Sequence, residues 1–161
     1  MAFSSVSSAL QIGVIGQLSN RDDNDLVQFA KPLIDATPLI PGRLCYIDNT
    51  NDGVKIIADP VVQHLIAGIV VDDGSLPIDV TSYVTGKVVP VLRRGRIWVK
   101  TFEAVKFGDP VFVSDVDSGG EPLGTFGMQN TGGDTTDLTN WGFQWSGANA
   151  SGMAELIVNL P

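Results

Sequence analysis

Short apolar runs, each closed by glycine or proline, recur along this chain, and no apolar stripe is sustained at helical spacing. Runs of that length bounded by turn residues predict β-strands. Leu26–Ala30 reads as a first short strand, and Pro32, Pro38 and Pro41 then prevent any helix from running on. Pro41-Gly42 is a turn into the strand Arg43–Ile47. The loop Asp48–Gly53 and the strand Val54–Ala58 complete a hairpin. Leu65–Val71 is apolar almost throughout, which predicts a strand covered on both faces, ended by Asp72-Asp73-Gly74. Pro77–Thr85 fits either a short helix or a strand.

Val88–Leu92 and Arg96–Lys100 are expected to form a second hairpin that turns at Arg94-Gly95, with Pro90 at an edge or a bulge. A strand at Val111–Val113 follows the Gly108-Asp109-Pro110 turn. Asp115–Asn140 is polar and rich in glycine, and reads as a long exposed loop broken by a strand near Leu123–Phe126. Trp141–Trp145 and Ala154–Asn159 are the closing strands. The expected fold is all-β. Residues 25–161 form a single β-barrel or jelly-roll-like domain, and residues 1–24 are either an extended N-terminal arm or a first strand, Ala9–Ile15, within it.

Composition narrows the function. The chain has 161 residues, 43% of them apolar, which is ample for a core. Ten basic against eighteen acidic residues give a net charge of -8. That argues against duplex nucleic acid, which is held by neutralising phosphates, and against anionic membranes. Neither the broken apolar start of the chain nor Val61–Val71 has the form of a membrane span.

Candidate chemistry is sparse. Cys45 is the one cysteine, set in an apolar run as a small buried hydrophobe, and His64 is the one histidine, with no triad partner or nucleophile elbow nearby. Asp48, Thr50 and Asp52 with Asp59 mimic the oxygen spacing of a calcium loop. The closing Asp in place of Glu and the flanking strands favour an ordinary Asn/Asp/Gly turn. No catalytic residue, metal site or cofactor is expected. Arg93, Arg94 and Arg96 make a basic patch in an acidic chain, either a docking tip or a solvated turn. Trp98, Trp141 and Trp145 are either core or interface anchors, and Trp141, Phe143 and Trp145 share one strand face.

Pro41-Gly42-Arg43, Ile66–Ile69, Arg94-Gly95-Arg96-Ile97-Trp98-Val99, Gly108–Val113 and the terminal Ala154–Val158 together resemble the capsid decoration proteins of tailed bacteriophages, also called structural cement proteins. The resemblance covers residues 38–161. It implies a small β-barrel or jelly-roll-like protein that sits as a homotrimer on the outer surface of an icosahedral head, bound to the major capsid protein at three-fold and quasi-three-fold positions. Arg93, Arg94, Arg96, Trp98, Trp141 and Trp145 are then the candidate shell or intersubunit contacts. Rival readings are a carbohydrate-binding module of a fibre, using Trp141 and Trp145, and a minor tail or connector component.

Overall fold

The computed structural model describes residues 14–19, 26–58, 60–77, 79–117, 122–129, 134–150 and 152–161. The proposed arm or first strand at residues 1–24 therefore lies largely outside the described residues. Ten strands follow in order: β1 Val27–Pro32, β2 Leu44–Asp48, β3 Gly53–Ile56, β4 Ile66–Val70, β5 Val88–Lys100, β6 Phe112–Ser114, β7 Phe126–Gly127, β8 Thr135–Asp137, β9 Phe143–Ala150 and β10 Met153–Asn159. A 3-10 turn, Gln63–Leu65, leads into β4, and the described residues contain no α-helix.

The strands form two antiparallel sheets. The larger runs β3-β2-β4-β5-β10-β9, with β1 also paired to β5, and the smaller runs β7-β6-β8. The fold is all-β and sandwich-like, in keeping with the jelly-roll-like expectation. It is not a closed barrel: β3 and β9 end the large sheet, and apart from its ladder with β2 the one bridge of β3 among the described residues is that of Val54 to Leu33.

Two cores lie on the two faces of the large sheet. Between the sheets pack Leu44, Ile69, Leu92, Ile97, Leu156 and Trp145 from the large one and Val113 and Phe126 from the small one. The opposite face of β2, β4 and β5 buries Cys45, Ala67, Val70, Val89 and Val91 under Leu33, Leu39 and Tyr83. β4 sends Ile66 and Ile69 to the first core and Ala67 and Val70 to the second, across a shift in its register with β2, and all five of its residues are buried. That is the physical reason for its unbroken apolar sequence. The Pro77–Thr85 segment is neither helix nor strand. It straps the second core through paired backbone bonds between Leu39 and Tyr83, while the Tyr83 hydroxyl donates to the Val71 carbonyl at 2.9 Å.

The main departure from the sequence reading is β5. Arg94-Gly95 does not turn the chain; Val88–Lys100 is one continuous strand. A two-residue hairpin turn of the favoured kind needs both central residues at positive φ, or a glycine first, and Arg94 supplies neither. Gly95, at φ +136, instead kinks the strand, beside a bulge in its register with β1. The first half of β5 lies between β1 and β4. Its second half lies between β10 and residues 16–19, where Gly16 and Ser19 donate to the carbonyls of Trp98 and Arg96.

Pro90 likewise sits inside this strand, opposite Ala30, rather than at an edge. It is tolerated because the β4 ladder has ended: the Pro90 carbonyl accepts from Val71, and the N–H it lacks would face the same side. The polar stretch after Asp115 is also more than a loop. Its described parts supply β7 and β8, which flank β6.

Cys45 is fully buried in the second core, and burial pushes its thiol up to about 12 from an ordinary 9.0. The unfolded thiol ionises near 9.0 while the folded one keeps its proton, so this contribution to stability is whole below pH 9.0 and is lost as pH rises toward about 12. Burial raises Tyr46 and Tyr83 in the same direction. Urea midpoints should therefore fall on the alkaline side, with a shallower fall in Cys45→Ala, and a thiol reagent should label Cys45 only on unfolding. Rapid labelling of the native protein would refute this placement.

Candidate interaction surfaces

The six residues singled out in the sequence fall into two groups. Arg94 and Arg96 are exposed, on the side of β5 that alternates with buried Gly95, Ile97 and Val99. Arg96 reaches Glu155 on β10 at 3.5 Å, and Arg93, half-buried, donates to the Pro161 carbonyl. Arg94 has no ion-pair partner among the described residues. The patch is thus a row of guanidiniums along a rigid strand, in place of the expected loop tip. Trp145 is 1% exposed, and its indole N–H donates to the Pro110 carbonyl at 3.1 Å. Trp98 is 8% exposed, and Trp141 is half-buried against the inter-sheet core. A sugar platform built on Trp141 and Trp145 is not formed, since Trp145 offers no ring face to solvent.

The loop that mimicked a calcium site is a closed turn. Asp48 Oδ1 accepts the backbone N–H groups of Thr50 and Asn51 at 2.9 and 3.2 Å, and Asp52 takes the left-handed conformation at φ 50. Bonds from Asn51, with help from Thr50 and Lys55, hold the Asp48 carboxyl below its usual range. Lys55 lies 3.5 Å from Asp48, and Lys31 is paired with Asp52. The protein's own cations and amides thus neutralise the oxygens, while Asp59 lies outside the described residues. No group of three or more metal-ligating side chains occurs among the described residues. His64 is exposed on the 3-10 turn. Asp115 is buried, with Thr136 Oγ1 donating to Oδ2 at 2.7 Å and Oδ1 lacking a partner among the described residues.

Two surface features escaped the sequence reading. Phe107, at 64%, is the most exposed large hydrophobic residue among those described, at the tip of the 105–110 loop. An apolar groove of about 470 Å³ lies between Val14-Ile15, Ile40-Pro41 and the residues Leu76, Pro77 and Val80, with Asp72 on its wall. Isolated apolar residues in loops carry no periodic signal, so only the fold reveals which of them stay outside.

Side chains of Trp145 and Asn149 on β9 bond the 105–110 loop, and β1 ends in Lys31-Pro32. Among the described residues the two-sheet all-β fold exposes Arg94, Arg96 and Phe107 on an otherwise acidic chain. The chain belongs to the phage structural cement proteins: the family model described as "Structural cement protein (E217 gp24/Pam3 gp6)" matches residues 3–159. It is therefore a structural protein of the phage virion, held at the capsid surface. A chain in the solved structure "The capsid of Myoviridae Phage XM1" shares the fold, with a TM-score of 0.71 at 19% identity over 99% of this chain and 98% of that one. No curated protein matches the chain.

Proposed function

We propose that this protein fastens the outer surface of an icosahedral head, bridging junctions between major capsid protein subunits as a homotrimer at three-fold and quasi-three-fold positions. It thereby resists the outward push of packed DNA. The family match over nearly the whole chain carries this reading. Its action is contact alone, with no reaction catalysed and no cofactor, nucleic acid or membrane bound. The net charge of -8 suits a solvent-facing outer position.

Arg93, Arg94, Arg96 and half-buried Trp141 are the accessible members of the proposed contact set, while Trp98 and Trp145 support the strands beneath them. Guanidiniums suit this role because their planar forks pair carboxylates at two points. Of the 1–24 segment, residues 16–19 pair with β5 of their own chain, so the arm that would supply a second attachment is the part ahead of Val14. A trimer makes its second and third contacts intramolecularly, so modest interfaces sum to tight attachment.

Purified protein added to expanded, undecorated heads should saturate them. Deleting residues 2–13, which leaves the segment paired with β5 in place, should lower occupancy, and Arg94→Glu with Arg96→Glu should weaken binding at least about tenfold. Full occupancy by the deletion variant would remove the arm from the reading. Failure of the intact chain to bind heads would remove the reading itself.

A further inference from the structure

Phe107 is displayed by a loop that cannot easily fold it away. The Asp109 carboxylate accepts the Lys106 N–H at 2.9 Å, and the Asp109 N–H returns to the Lys106 carbonyl at 3.2 Å. Asn149 Nδ2 holds the Val105 carbonyl at 2.8 Å, and the Trp145 indole holds Pro110. Gly147 lies under the ring's own Cβ: a methyl added there would come within 3.3 Å of it. A ring displayed on a loop braced by these bonds requires less ordering of the backbone on binding than one on an unbraced loop, which suits an energetic anchor at an interface.

The groove on the same chain is its counterpart in form and charge. Val14, Ile15, Ile40, Pro41, Leu76 and Val80 line it, and Val14 and Val80 remain 56% and 40% exposed. Asp72 sits in its wall, and Asp73 and exposed Asp79 lie beside it, whereas Phe107 is preceded by exposed Lys106. Knob and groove share no residue, so one molecule can use both at once with two different neighbours.

We propose that Phe107 of one copy enters the Val14–Val80 groove of the next, with Lys106 facing the Asp72–Asp79 rim. The contact is head-to-tail, and head-to-tail contacts of suitable rotation close into rings. It gives the proposed trimer a specific interface, and it stands or falls in solution, without capsids.

The test uses the full-length chain in sedimentation velocity. The wild type should form a closed assembly. Phe107→Ser and Val80→Asp alter exposed positions and should keep the native circular dichroism, yet each alone should be monomeric, with self-affinity weakened at least about thirtyfold. Mixed one to one, they retain one intact knob and one intact groove, so they should form a heterodimer and nothing larger. A monomeric wild type, a Phe107→Ser variant that assembles normally, or a mixture that stays monomeric would each overturn the proposal. Head binding by any of these proteins is scored separately and bears only on the cement reading.

Discussion

Gly68→Ala should cost about 4 kcal/mol, a large share of the roughly 5–15 kcal/mol that holds a typical domain together. Gly68 lies in β4, the strand buried on both faces, and its backbone has φ +150. A Cβ built there would lie 2.1 Å from the Leu92 carbonyl oxygen and 2.9 Å from the Val91 side chain. The oxygen belongs to the neighbouring central strand, so relief requires β4 and β5 to separate. Strained backbone and an overfilled core each cost about 1–3 kcal/mol, and here they act at one atom. The Gly68 carbonyl also accepts the Cys45 thiol at 3.5 Å, so displacing β4 disturbs β2 as well. The urea midpoint of the variant measures the loss. A variant within about 1 kcal/mol of wild type would mean that the sheet is looser at this point than the packing requires.

Trp145→Ala should be comparably damaging, at about 4 kcal/mol, for a different reason. The indole fills the inter-sheet core from β9 and is 1% exposed, so its removal leaves a cavity walled by both sheets. Its N–H also anchors the Pro110 carbonyl at one end of the loop that carries Phe107. Trp145→Phe keeps most of the ring and loses that bond, so it should cost about 1–2 kcal/mol. Fluorescence-monitored denaturation gives the two losses. Equal losses in Ala and Phe would show that the hydrogen bond, not the filled volume, dominates at this site.

The sequence revealed the parts of the fold whose chemistry is local. Pro41-Gly42 and the Asp48–Gly53 loop marked the β2–β3 hairpin because turn residues act within a few positions. Leu65–Val71 revealed β4 because both faces are buried. The same local logic failed at Arg94-Gly95, where a glycine that looked like a reversal only kinks β5. What carries β5 on past Gly95 is pairing with β1, β4 and β10, two of them distant in sequence and one, β4, closed back on it by a long loop. The strand expected near Leu123–Phe126 is β7, which begins only at Phe126, whereas β8 is three residues long and partly polar, too short for alternation to register. Of the interaction surface, the arginines were legible as charge out of place in an acidic chain. Phe107 and Val80 were not, because exposure is decided by where the rest of the chain packs. The Trp98 and Trp145 side chains are buried for the same reason.

The unbroken run of β5 has a mechanical consequence. One length of polypeptide passes through both halves of the large sheet, gripped by β1 and β4 at one end and by β10 and residues 16–19 at the other. A pull along that direction meets covalent chain and ladders loaded in shear, where many hydrogen bonds must yield together. A molecule stretched between diverging neighbours in this orientation would behave as a tie-rod, failing at its attachments before its middle gives way.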